Sequence, residues 1–215
     1  MRPAFGPGLA SATAAANWWE AGGATGCVAA YQPKGAASLA ASYVNLANPG
    51  THDAAPGIAP TWDTTNGWIF ATTQYLNVAL TTTNETWTLI YQFTGASVSN
   101  VFAYAVGASS GAAFSFCFGP NFLNGARYIS GAQTITVAPN LTSGVAAVAG
   151  KSAYLNGTSQ GTIPAGTSTA NLGWSIGRVK NGSSGAAHNC QAMAIYNNTL
   201  TGPQVAAIST AMAAL

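Results

Sequence analysis

The chain doubles back at Leu155-Asn156-Gly157-Thr158. Asn-Gly between two short apolar runs is the strongest local signal for a β-hairpin. Both central residues of a type I′ turn need positive φ, and few residue pairs accept that without strain. The hairpin sits in a succession of similar runs. Residues 145–150, 152–155 and 158–163 form consecutive hairpins, and 172–178 and 193–200 follow. Upstream, 26–31, 68–70, 75–78, 87–93, 101–106, 113–118, 126–130 and 133–137 are strand-length runs broken by Gly-rich turns. The run at 87–93 alternates, with Trp87, Leu89, Tyr91 and Phe93 on one face and Thr88, Ile90 and Gln92 on the other. That is the period of a strand with two distinct sides. About a dozen short strands at regular turn spacing predict an all-β, two-sheet antiparallel sandwich.

Three segments do not alternate. Residues 34–42 predict a helical turn or two. Residues 45–60, with Pro49, Pro56 and Pro60, predict a loop. At the end, Thr201 precedes Gly202-Pro203-Gln204, and Val205, Ile208, Met212 and Leu215 recur at steps of three and four. An N-cap, an early proline and one apolar stripe predict a short helix packed back on a sheet. Residues 1–22 read as an N-terminal arm and 23–215 as one jelly-roll domain. Trp18 and Trp19 in the arm are costly to leave in water and are expected to bury against the body or a partner, docking the arm on a neighbour.

The residues at several of these positions resemble the laminin-G-like jelly-roll domains of the concanavalin A-like lectin/glucanase superfamily. Trp68-Ile69-Phe70-Ala71-Thr72-Thr73-Gln74-Tyr75-Leu76 resembles a family strand pair, with Ala71 at a place usually taken by glycine or a small polar residue. Glu85-Thr86-Trp87-Thr88-Leu89 resembles a central strand, and Tyr154-Leu155-Asn156-Gly157 a hairpin. Ile176-Gly177-Arg178 and Ala194-Ile195-Tyr196-Asn197-Asn198-Thr199-Leu200-Thr201 resemble the closing pattern before the family's tail helix. The stretches 29–36 and 44–50 look like the subset found in bacteriophage and other particle-associated proteins. The resemblance implies that the first and last strands are neighbours, and with them a contact, or a disulfide, between Cys27 and Cys190. Cys117 lies in the apolar run Phe114-Ser115-Phe116-Cys117-Phe118 and reads as a buried free thiol.

Only 5% of the 215 residues are charged, with a net charge of +2, against about a quarter in an ordinary soluble domain. The acids are Glu20, Asp53, Asp63 and Glu85; the bases are Arg2, Lys34, Arg127, Lys151, Arg178 and Lys180. With no basic cluster, nucleic acid is not an expected partner. No apolar run is long enough to predict a membrane helix. A surface of small polar residues repels its neighbours weakly. It suits contact with copies of itself or with a parent particle. The first ten residues lack the apolar stretch of a leader. The expected setting is therefore a virion, or the extracellular or cell surface reached as part of a particle.

The superfamily contains glucanases, whose chemistry needs two carboxylates about 5–9 Å apart. Here the four acids are scattered, His52 and His188 are the only histidines and no nucleophile elbow occurs. The expectation is no enzyme. No cofactor is expected either; the one alternative is calcium at Asp53 and Asp63 with Asn45 and Asn48, against a role for these residues in capping turns. Glycans are expected partners, through aromatic rings and polar side chains near loops. The candidates are Trp62, Tyr128, Trp174 and Arg178, and the competing reading of the two tryptophans is that they belong to the core.

Overall fold

The structure is a computed structural model. It describes residues 17–81, 86–97, 106–109, 114–122, 125–131, 133–137, 139–166, 173–178 and 185–215. A 3-10 helix spans Trp18–Gly23, followed by β1 (Cys27–Tyr31), α1 (Leu39–Ser42), β2 (Ala55–Ile58), β3 (Thr61–Asp63), β4 (Gly67–Phe70), β5 (Tyr75–Thr81), β6 (Thr88–Thr94), β7 (Val106–Ser109), β8 (Phe114–Phe122), β9 (Gly125–Ser130), β10 (Gln133–Val137), β11 (Gly144–Ala149), β12 (Ser152–Leu155), β13 (Thr158–Thr162), β14 (Gly173–Ile176), β15 (His188–Tyr196) and α2 (Gly202–Ala213). The strands form two antiparallel sheets. The eight-stranded sheet runs β13-β12-β11-β6-β15-β4-β3, with β1 also pairing β15; the seven-stranded sheet runs β10-β9-β8-β7-β14-β5-β2. The predicted sandwich and tail helix are both present.

Side-chain alternation decides what lies between the sheets. On β6, Leu89, Tyr91 and Phe93 point into the main core while Ile90 joins a second apolar cluster on the sheet's other face. β15 changes phase once. Cys190 pairs with Phe93 but Ala192 pairs with Gln92, so Gln191 is an extra residue in the strand. Such a bulge resets which residues face in. Cys190, Met193 and Ile195 face the main core, and Ala192, Ala194 and Tyr196 face outward.

The outward face of the eight-stranded sheet is a seat for α2. Ala30, Ala147, Ala149, Ala192 and Ala194 line it, with Val205, Ile208 and Met212 of the helix above. Methyl-sized side chains on the sheet leave room for a helix to lie close. At the hairpin, Asn156 (φ 50°) and Gly157 (φ 77°) take the positive angles their sequence predicts. A Cβ at Gly157 would come 2.8 Å from the backbone of Ala206, so the turn also abuts the helix. The helix starts where expected, the Thr201 N–H donating to Gln204 Oε1 at 3.0 Å.

Two expectations change, and a third resolves between its two stated outcomes. The 45–60 loop contains β2, whose Ala55 pairs with Asn77. Pro56 is tolerated because β2 is an edge strand that needs no donor on its outer side. The tryptophan pair, expected to bury against the body or a partner, packs on the body. Trp19 is buried in the α2 cluster, its carbonyl accepts from Tyr196 Oη at 2.7 Å, and Trp18 Nε1 donates to Gln32 Oε1 at 3.1 Å. Residues 1–16 of the expected arm lie outside the described residues. Finally, β1 and β15 are neighbours, yet Cys27 and Cys190 are both free thiols. Cys27 pairs with Tyr196 and packs on the outer cluster, whereas Cys190 lies six residues back along β15 and faces the main core. Six residues of strand span roughly 20 Å, and a disulfide needs Cα atoms within about 7 Å. Cys117 is buried and in no disulfide.

Candidate functional site

The expected saccharide-binding rings are mostly structural. Trp174 is fully buried on β14, with Phe116 5.5 Å away. Tyr128 is buried on β9 beside Phe118 at 5.1 Å. Trp62 is half-buried on β3 opposite Trp68, and its Nε1 donates to the Pro33 carbonyl at 2.8 Å. Of these three rings only Trp62 keeps part of its surface in solvent. The core reading holds for Trp174 and applies to Tyr128 as well. Arg178 differs. It is half-buried, and its guanidinium lies 3.5 Å from the centre of the Tyr75 ring.

Tyr75 marks the outer face of the seven-stranded sheet. On β5, Leu76, Val78 and Leu80 enter the core, which places Tyr75, Asn77 and Ala79 on the opposite side. Strand register extends this face sideways, from Ala55 and Asn77 through Ser175 and Gly107 to Cys117, Ile129 and Thr134. The Ser175 hydroxyl is buried there without a hydrogen-bond partner. A cleft of about 500 Å³ opens beside Asn77, with Asp53, Ala55, Ala79 and Gly173 among its walls. β2 closes against the Tyr75 ring at Gly57, where a Cβ would fall 2.1 Å from the ring. Hydroxyl-rich ligands need convergent donors and acceptors beside a partly apolar wall. This face supplies them. Tyr75, Asn77 and Ser175 were absent from the sequence candidates, although the alternation through 75–78 carried the first two.

The expected calcium carboxylates cap turns. Asp53 Oδ1 accepts from the amides of Asn45 (2.8 Å) and Gly50 (3.2 Å). Asp63 accepts from Asn66 Nδ2 and from the amides of Asn66 and Thr65. The bonds from Asn66 lead in holding its carboxyl below the ordinary aspartate range. Asn45, the expected third ligand, is fully buried, its amide group tied to Ala30, Ala47, Val28 and Thr51 of the backbone. Among the described residues, no three His, Cys, Asp or Glu side chains gather as a metal site.

His52 fills the loop role expected of it, with Nδ1 2.7 Å from the Ala79 carbonyl. His188 does not. It is buried on β15, Nδ1 donating to the Ala186 carbonyl at 2.7 Å and Nε2 accepting from Tyr91 Oη at 2.5 Å, with Phe70 stacked 5.3 Å away. Burial pushes its pKa down to about 4, so the ring is neutral and fixed in one tautomer. Burial also pushes the Cys27 and Cys190 thiols up to about 12, which keeps both protonated and unreactive.

No family profile matches the chain, and no curated protein matches it in sequence. Solved structures do match its fold. A Trypanosoma rangeli sialidase is 14% identical with a TM-score of 0.61, covering 86% of this chain and 33% of its own. The same sialidase in complex with sialic acid gives 15% and 0.62 over the same shares. Domain 4 of an extracellular arabinanase from Geobacillus stearothermophilus, in complex with arabinotriose, is 12% identical with a TM-score of 0.55, covering 85% of this chain and 98% of that domain. The chain thus spans about a third of the sialidase and nearly all of the arabinanase domain. What the chain shares with them is the fold, a two-sheet β-sandwich. This corrects the expectation of no enzyme, which rested on the scattered acids. Solved sialidases contain this sandwich, so neither the fold nor the scattered acids support that expectation.

Proposed function

We propose that the chain is a saccharide-binding β-sandwich module carried by a virion or an extracellular assembly. The observation that carries the reading is the outward side of β5, where Arg178 lies over Tyr75 and, two residues along, Asn77 lines an open cleft. On the eight-stranded sheet the equivalent face is covered by α2. The likeness to a whole arabinanase domain solved with arabinotriose supports saccharide as the ligand class. The order of the laminin-G-like motifs and the 5% charge content support the particle-borne setting, because a weakly charged surface tolerates close neighbours.

The test is a glycan array probed with the purified chain, followed by titration of the best binder. Saturable binding is expected. Asn77→Ala should weaken it about tenfold, as befits one or two lost hydrogen bonds to the ligand, with the melting temperature followed alongside to confirm that the variant is folded. An array with no saturable binder would overturn the reading.

A further inference from the structure

Arg178 has no carboxylate counter-ion among the described residues. Among the described residues its buried Nε has no acceptor, and its guanidinium lies over the Tyr75 ring. The acids within the described residues are engaged elsewhere: Glu20 accepts from Asn17, Asp53 caps the loop at Asn45 and Gly50, and Asp63 caps the turn at Thr65 and Asn66. A guanidinium carries five donors in a rigid fork that matches a carboxylate or sulfate in two-point contact. Stacking on an aromatic ring holds the fork in place before any ligand arrives.

The backbone specifies that placement. β14 ends at Ile176, paired with Leu76, and Gly177 turns the chain with φ 92°. A Cβ at Gly177 would fall 2.5 Å from the Phe70 ring, so a side chain there is excluded and the turn brings Arg178 back over Tyr75. Two residues along the same face stands Asn77, at the cleft, with exposed Asp53 on its far wall. Ser175, paired with Asn77, adds a buried hydroxyl with no partner. Charge along this line therefore runs from positive at Arg178 to negative at Asp53, with amide and hydroxyl groups between.

We propose that this site selects anionic saccharides, Arg178 taking the carboxylate or sulfate and the uncharged remainder lying toward Asn77. Asp53 repels the acid group from the other end and so fixes the direction of the chain. This rests on the saccharide-binding reading and names its ligand class.

The experiment places sialylated, uronic-acid-containing and sulfated glycans on an array beside their neutral parents. Three proteins are compared: the unaltered chain, Arg178→Gln and Arg178→Lys, each checked by its melting temperature. The unaltered chain should favour acidic glycans over their parents by about 10- to 100-fold, the range of a charge-assisted contact. The preference should shrink with added salt. Arg178→Gln should abolish it, lowering binding to the acidic glycans by about 10- to 100-fold and to their neutral parents by much less. Arg178→Lys keeps the charge but loses the planar fork, and should retain only part of the preference. The sialylated and sulfated arms show which acid group is taken. Equal binding of acidic and neutral glycans by the unaltered chain would overturn this proposal and leave the saccharide reading standing. So would an equal loss on every glycan in both variants. No binding to any glycan would overturn both.

Discussion

Two buried polar residues, Asn45 and His188, determine how this interior responds to change. Asn45 satisfies backbone groups on β1 and in the loop before β2, so a single amide holds the loop that carries Asp53 to the cleft. His188 is sequestered as the neutral ring between Tyr91 and Ala186. Its folded pKa of about 4 lies below the ordinary histidine value of 6.5. In the window between them the unfolded chain binds the proton that the folded chain refuses, so stability falls as pH drops from about 6.5 to about 4 and is flat above. The full loss from this group is about 3 kcal/mol. Urea denaturation across that range should show the slope, and His188→Phe, which preserves the stack on Phe70, should flatten it. An unchanged slope in the variant would mean that other groups cause it. The sequence offered His188 only as one of two histidines. Its burial depends on strand pairing over nearly a hundred residues, which no local pattern reveals.

At the scale of elements, the parts best read from sequence were those whose rules are local. The Asn156-Gly157 hairpin needs two positive φ angles, α2 needs a cap and a stripe, and β6 needs only alternation. Each stands where its residues said. The parts missed were β2 and β3, short edge strands whose existence depends on β5 and β4 beside them rather than on their own residues. The alanine seat under α2 is a further case. Ala147, Ala149, Ala192 and Ala194 look unremarkable in the chain and become meaningful only when a helix lies on them. Opposite size changes at this contact should both destabilise. Ile208→Ala leaves a cavity and should cost about 2–4 kcal/mol. Ala194→Leu forces the helix off its seat and should cost about 1–3 kcal/mol. Chemical denaturation reads both, and a neutral Ala194→Leu would show that the helix does not seat there.

For the molecule as a whole, the fold class was legible and the site was not. A dozen alternating runs suffice to name a sandwich, but which strands become neighbours decides which side chains meet. Tyr75 and Arg178 are 103 positions apart in numbering, and only the β5–β14 pairing joins them. The large aromatics that sequence singled out were drawn into the core because burial of their area outweighs display. One strand holds the eight-stranded sheet together: β15 pairs with β1, β4 and β6. A chain ended after residue 187 should therefore lack cooperative unfolding by circular dichroism, whereas removal of residues 1–16 should preserve it. A sharp transition in the shorter chain would show that the remaining strands suffice.

Because Ala29 finds its partner only at Ile195, a ribosome making this protein must polymerise most of it before the first strand can be paired. At about 5–20 residues per second the wait is roughly ten to thirty seconds, during which apolar strands stand open to one another and to other nascent chains. Slower initiation, cooler growth or a chaperone that shelters unpaired strands would each favour soluble product over aggregate.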